Sequence, residues 1–248
     1  MNKLPPNINS LLKIASEALN KKKLNEAKII LEEITKLNPK IFEVNFNLAI
    51  INLQQGNIEN SIIYFEKTKK INPDSTQVYF NLALAYDKSE KIDKAILNFK
   101  KVIELDKNNS LALYNIGHLY KKKLDLNPNF ELAYHELFGL YDRSNQLDKY
   151  KNLLNKLKKS LKNISLINFY FAFYEYRKKN YQGVIETLEN LNLEEKNFHQ
   201  IITKHGILAR SYDQKNKFNK AYYHYKINND LVNKYYGKGI EEKNFVKY

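Results

Sequence analysis

From Tyr79 to Lys107 the apolar residues recur at helical spacing in two successive blocks. Tyr79, Leu82, Ala83 and Tyr86 fall on one face of a first helix, and Ile92, Ala95, Ile96, Phe99 and Val102 fall on one face of a second. Between them, Asp87-Lys88-Ser89-Glu90 is polar and short enough to turn the second helix back on the first. One such hairpin cannot bury both of its faces, so the pattern calls for similar hairpins on either side.

The rest of the chain supplies them with a fixed period. Pro39 and Pro73 each follow Asn and stand 34 residues apart (73 − 39 = 34). The same step links Ala27, Ser61 and Ala95, then Leu31, Phe65 and Phe99, then Leu48, Leu82 and Ile116, and then Ala49, Ala83 and Gly117. Small side chains in this register let two helices approach closely, and the large ones fill the space above and below. A pattern held at many positions over three cycles resembles the tetratricopeptide repeat. Thr76 to Asn109 carries it most fully, and only Lys107 departs, where Pro is usual. Ile8 to Ile41 keeps Ala15, Ala27 and Pro39, and Phe42 to Ser75 keeps Leu48, Ala49, Gly56, Phe65 and Pro73.

A fourth cycle opens with Leu113, Ile116, Gly117 and Tyr120 and then reaches Asn127-Pro128 without room for a second helix. From Pro73 to Pro128 is 55 residues (128 − 73 = 55), where two repeats would take 68 (2 × 34 = 68). The spacing predicts one helix over 109–126, stopped by the proline, and a break near Asn127. Looser cycles follow: Tyr134, Leu137, Phe138 and Tyr141 with Tyr150, Leu153, Leu154 and Leu157, then Phe171 and Ala172 with Tyr181, Val184, Leu188 and Leu191. The last has Ala209, Tyr212, Phe218, Ala221 and Tyr225, and Asn228 to Tyr236 extends or follows it as a capping helix. Gly237 and Gly239 are expected to end it, leaving a loose tail through Tyr248. The expectation is an all-α fold, an α-solenoid of antiparallel helix pairs in a tetratricopeptide superhelix of about 13 helices, irregular near residues 121–129. Residues 1–126 would form an N-terminal array and residues 127–248 a more divergent one.

Composition adds little. The net charge of +14 comes almost wholly from Lys, with Arg143, Arg177 and Arg210 the only arginines. Base and phosphate recognition favours arginine forks, so no specific nucleic-acid partner is expected. The absence of cysteine removes disulfides and thiolate metal sites and fits a cytoplasmic protein. No stretch is apolar and long enough for membrane insertion.

No catalytic constellation emerges, and no cofactor or metal is expected. His199 and His205 stand on different helical faces, and His118, His135 and His224 have no partner at ligand spacing. Adjacent carboxylates such as Glu32-Glu33, Glu194-Glu195 and Glu241-Glu242 diverge. What remains is a groove lined by the first helix of each repeat. Asn47, Asn81 and Asn115 share one register there (81 − 47 = 34; 115 − 81 = 34). An amide carries both donor and acceptor, so a row of them can pair with the peptide units of an extended ligand. The row resembles the asparagine ladder in the tetratricopeptide domain of O-linked N-acetylglucosamine transferase. Phe46, Phe80 and Tyr114, with Phe169, Phe173 and Tyr176 further on, occupy groove positions suited to apolar pockets. Lys121, Lys122, Arg143, Arg177 and Lys178 would add a positive rim. The two-carboxylate clamp of chaperone-binding tetratricopeptide domains is not matched: the frame from Ile8 offers Leu12 and Ser16, the frame from Phe42 offers Phe46 and Ile50 with Leu111 and Asn115 on the third helix, and Asn81 alone fits.

These residues point to a non-catalytic scaffold that binds an extended peptide or partner protein. A second expectation comes from the end of the chain, where Ala221, Tyr222 and Asn229 resemble the junction of bacterial proteins in which such repeats precede a sulfotransferase domain. That resemblance implies a substrate-presenting part of a modular enzyme, without the catalytic half.

Overall fold

A computed structural model describes residues 7–237, which hold thirteen α-helices and one short 3-10 turn. Gly239 and the tail to Tyr248 lie outside the described residues. The chain forms two compact units, residues 1–126 and 127–248. In the first unit, three helix pairs follow one another: α1 (Ile8–Asn20) with α2 (Leu24–Leu37), α3 (Phe42–Gln54) with α4 (Ile58–Ile71), and α5 (Thr76–Lys88) with α6 (Ile92–Leu105). A single helix, α7 (Ser110–Leu126), packs on α6 and has no pair in its unit. We call the first helix of each pair A and the second B.

The 34-residue register is a packing register. Ala27, Ser61 and Ala95 on the B helices are fully buried, as are Leu48, Leu82, Ala49 and Ala83 on the A helices. Leu31, Phe65 and Phe99 are at most 1% exposed and fill the layer beside the small residues. Ser61 departs from its alanine neighbours in one respect: its buried hydroxyl has no hydrogen-bond partner among the described residues. Asn52 stands where Tyr86 stands in the next repeat. Its buried amide donates to Leu48 O (2.7 Å) and accepts from Lys28 Nζ (2.9 Å), which satisfies a polar group in a tyrosine's place.

Two local devices recur with the packing. Between A and B, the chain passes through the left-handed region at Lys22 (φ 56°), Gly56 (φ 78°) and Glu90 (φ 60°). The following N–H reaches back to close the turn, from Lys23 to Ala18 O, Asn57 to Asn52 O and Lys91 to Tyr86 O. Between B and the next A, the side chains of Asn38, Asn72 and Asp106 accept from the backbone N–H two residues on, at 3.1, 3.2 and 3.2 Å. This Asx turn explains the Asn-Pro pairs, and Asp106 keeps the turn where Lys107 replaces proline. Asn127 makes the same contact with Asn129 N at 3.1 Å, so the chain after α7 carries the chemistry that closes a repeat.

The second unit contains α8 (Glu131–Arg143), α9 (Leu147–Ser160), α10 (Ile164–Arg177), α11 (Tyr181–Leu188), α12 (Phe198–Gln214) and α13 (Phe218–Tyr236). Left-handed turns at Asn145 and Lys179 keep a 34-residue step (179 − 145 = 34), and Asn216 supplies the third. One detail differs from the periodicity and two fill in what it left open. α11 is only eight residues long and stops before Leu191, which is buried outside the helix in a segment whose asparagines favour turns. The long connection at 194–197 contains the 3-10 turn Glu195–Asn197. Asn228 to Tyr236 continues α13 without interruption, up to Gly237 (φ 82°).

The histidines that looked unrelated in sequence include one pair in contact. His205 on α12 and His224 on α13 approach with Nδ1 atoms 2.9 Å apart, so a neutral pair shares one N–H between two nitrogens. Tyr212 stacks on His224 at 5.5 Å between ring centres. Lys204, Lys220 and Glu189 border the pair, with Glu189 bonded to Lys220 at 2.9 Å. Burial, the His224 ring and Lys204 hold His205 down to about 4, from an ordinary 6.5. Burial lowers His224 as well, with Lys204 and Lys220 adding to the effect and Glu189 opposing it.

Three variants of the first unit test the turn and the packing register. Ser61→Ala is expected to stabilise by about 1 kcal/mol, because it removes an unpaired buried hydroxyl and restores the residue of the neighbouring repeats. Gly56→Ala is expected to cost about 1 kcal/mol through backbone conformation alone, since no atom lies within 4 Å of the added methyl. Glu90→Gly should gain a similar amount; urea unfolding monitored by circular dichroism measures all three. The histidine pair predicts a pH dependence. A histidine whose folded pKa lies below its unfolded value contributes stability above the unfolded pKa and loses it as pH falls towards the folded one. The His205 contribution should therefore disappear between pH 6.5 and about 4. Its size is on the order of 1 kcal/mol after discounting for solvent screening. Melting of the natural chain should fall more steeply over that window than melting of His205→Phe.

Candidate functional site

In the first unit Asn47, Asn81 and Asn115, expected to line a groove, stand at equivalent places on α3, α5 and α7, each half-buried. Asn81 Nδ2 donates to Gln77 O at 2.8 Å and Asn115 Nδ2 to Leu111 O at 2.7 Å. Each bond closes on the residue's own helix, one turn back. The amide N–H₂ is thus partly engaged, while the carbonyl oxygen keeps acceptor capacity. Pairing with both sides of a peptide unit would require the amide to rotate, at the loss of this bond.

The aromatic residues of the same helices divide by whether a B helix follows. Phe46 meets Phe65 edge-on at 5.8 Å, and Phe80 meets Phe99 at 5.3 Å. In both cases the partner is the large register residue of the same repeat's B helix. α7 has no B helix in its unit, and Tyr114 is 72% exposed. Phe46 and Phe80 keep only part of their surface for a ligand; Tyr114 keeps most of it. Lys122 is paired with Asp87 at 3.4 Å, which reduces the positive rim on this side. Behind these helices, burial together with the hydrogen bond and charge of Glu66 pushes the Tyr86 phenol up to about 12. It stays a protonated donor and has no role as a base.

In the second unit, α8, α9, α10 and α12 line a cavity of 240 Å³ whose walls include Phe138, Tyr150, Phe169, Tyr170 and Phe173. Phe169 is 3% exposed and packs edge-on with both Tyr170 and Phe173. Tyr176 is not part of this cluster and packs against Tyr181 at 5.9 Å. The structure therefore gathers Phe169 and Phe173 and leaves Tyr176 apart. It also adds residues that periodicity did not single out for this place, among them His135, Gly139 and Gln200. His135 Nδ1 lies 2.7 Å from Tyr170 Oη, and Tyr150 Oη donates to Tyr170 O at 3.2 Å. Burial raises the pKa of Tyr150 and Tyr170, so both phenols stay neutral and act as structural hydrogen bonders. Gly139 leaves a notch in α8, over which the Arg143 guanidinium folds back. In the sequence this notch shows only as the glycine of Phe138-Gly139-Leu140, which periodicity does not read as a cavity wall. Of the expected rim residues in this unit, Arg177 is tied to Asp142 at 3.4 Å, and Lys178 lies 5.6 Å over the Tyr174 ring.

Among the described residues, no group of three or more His, Cys, Asp or Glu is placed to hold a metal ion, and no helix is long and apolar enough to cross a membrane. The cavity walls combine these aromatic rings with the polar side chains of His135, Glu136, Asp142, Arg143 and His199.

No curated protein matches the chain in sequence. Among solved structures, a tetratricopeptide repeat protein from Parabacteroides merdae is similar at 14% identity and a TM-score of 0.44, with 90% of this chain and 93% of that one covered. The protein MamA is similar at 15% identity and a TM-score of 0.43, with 92% of each chain covered. The first tetratricopeptide domain of Spaghetti, solved with an HSP90 peptide, is 16% identical at a TM-score of 0.44 and covers 49% of this chain and 97% of its own. Sequence models of the tetratricopeptide repeat match residues 8–41, 42–75 and 76–109, the boundaries that the 34-residue period marks. Residues 8–109 are thus similar to three consecutive tetratricopeptide repeats.

Proposed function

We propose that the chain is a non-catalytic interaction scaffold whose A helices in the first unit hold an extended peptide segment of a partner protein. The observation that carries this reading is the amide series Asn47, Asn81 and Asn115, one per A helix in one register. Each is half-buried and lies outside the fully buried packing layer. Carbonyl oxygens repeated along the row accept peptide N–H groups, and the exposed Tyr114 at its end offers a ring to a side chain of the ligand. Affinity would come mainly from backbone contacts, with side-chain preference set by Phe46, Phe80 and Tyr114. The aromatic cavity of the second unit offers a separate place for an apolar side chain, through Phe169 and Phe173.

The sulfotransferase reading draws no support from the C-terminal helix. Ala221 is buried in the contact between α12 and α13, Tyr222 is exposed, and the run is one continuous helix. These are the ordinary places of a packed helix pair.

The scaffold reading is tested with the double variant Asn81→Ala, Asn115→Ala on an array of random-sequence peptides. Two lost hydrogen bonds are worth about 2 kcal/mol, so bound peptides should weaken about thirtyfold with little change in melting temperature. Unchanged binding by the folded variant would reject the amide row as the site.

A further inference from the structure

We propose that the outer face of α2, α4 and α6 in the first unit is a homodimer interface, and that its occupant is the same face of a second copy of this chain. This surface is distinct from the A-helix groove and leaves that groove free.

One exposed aliphatic residue stands at the same register on each B helix. Ile29, Ile63 and Leu97 are 67%, 51% and 69% exposed, and each is 34 residues from the next (63 − 29 = 34; 97 − 63 = 34). Leu37 and Ile71, 46% and 36% exposed, extend the stripe by two turns on α2 and α4. Large exposed aliphatics scattered singly need no explanation, but a row repeated with the packing period is a built surface.

The charges flanking the row identify what fits it. On α2, Glu26 and Glu33 lie one turn before and one turn after Ile29, and on α6 the equivalent places hold Lys94 and Lys101 around Leu97. Glu32 likewise corresponds to Lys100, and Lys36 corresponds to Glu104. Every one of these four positions reverses its sign across two repeats (94 − 26 = 68; 100 − 32 = 68; 101 − 33 = 68; 104 − 36 = 68). A surface that is acidic at one end and basic at the other, with mirrored positions, is complementary to itself.

Two copies placed face to face about a two-fold axis parallel to α4 bring α2 of one against α6 of the other at equal height. Ile29 then meets Leu97 and Ile63 meets its own copy. Glu26 faces Lys94, Glu33 faces Lys101 and Lys36 faces Glu104, each twice in the dimer. The α6 side is shaped for this. A hollow of 480 Å³ bordered by Leu97 also carries Lys69, Lys94, Lys100 and Lys101 against Glu66 and Glu104, an excess of two positive charges where the acidic flank arrives. Within its own chain Glu26 forms an exposed pair with Lys23, and Lys101 a local pair with Glu104. Such pairs are worth little and are readily exchanged. Lys67 and Lys70 fall on the axis and face their own copies, and Lys67 Nζ lies 4.9 Å over the Tyr64 ring, turned onto its own helix.

Sedimentation equilibrium of the full chain tests the assignment. The natural chain should be dimeric, with Ile63→Lys and the double reversal Glu26→Lys, Glu33→Lys each raising the dissociation constant by at least about tenfold. Adding Lys94→Glu and Lys101→Glu to the double reversal should return it to within about threefold of the natural value, and Lys67→Ser should tighten it. All substituted residues are outside the buried layer, so circular dichroism and melting should stay native. A monomer at concentrations up to about 1 mM would overturn the proposal. So would a dimer indifferent to Ile63→Lys, or a fourfold variant that stays as weak as the double reversal while remaining folded.

Discussion

The first unit depends on how closely an A helix and a B helix can approach. Ala27, Ser61 and Ala95 are fully buried, as are Leu48, Leu82, Ala49 and Ala83. Small side chains at these positions allow a close approach; Leu31, Phe65 and Phe99 fill the layer beside them, and each B helix also touches the next A helix. The remaining features follow from the spacing. The left-handed turn after each A helix and the Asx turn after each B helix are the short connections that helices so placed require. Surface ties between repeats, such as Lys91 with Glu59 at 3.1 Å and Gln55 with Asn25 at 2.8 Å, sit outside the layer and contribute little by comparison.

Because the burial is repeated, it uses the same positions in each repeat and releases the same positions for other purposes. Asn47, Asn81 and Asn115 are released on the A side, and Ile29, Ile63 and Leu97 on the B side. On a scaffold of this kind, specificity lies in what differs between repeats at the released positions. On the A side the amides are constant, which suits backbone recognition. On the B side the flanking charges reverse between α2 and α6, which suits a two-fold partner.

Most of the fold was legible in the sequence because its physics is periodic. Ser61 in place of alanine and Thr68 between Ile34 and Val102 do not hide a register carried at many other positions. The single helix from Ser110 to Leu126 was legible for a different reason, since Asn127-Pro128 arrives too early for a second helix. What did not show was contact between residues far apart in sequence. His205 and His224 come from different helices, and only the α12–α13 packing aligns their rings. The 240 Å³ cavity draws on four helices, α8, α9, α10 and α12, which no local pattern joins. The sequence placed Asn81 and Asn115 correctly on their helices, but their bonds to Gln77 and Leu111 depend on a rotamer, which periodicity does not set.

The close approach at the small register positions is the claim on which both surfaces rest, and Ala95→Leu addresses it most directly. Ala95 has no exposed surface, and the added side chain would have to force α5 and α6 apart. Urea unfolding of this variant, followed by circular dichroism, should show a loss of about 2–3 kcal/mol. A loss below about 0.5 kcal/mol, the range of an ordinary surface substitution, would contradict the account.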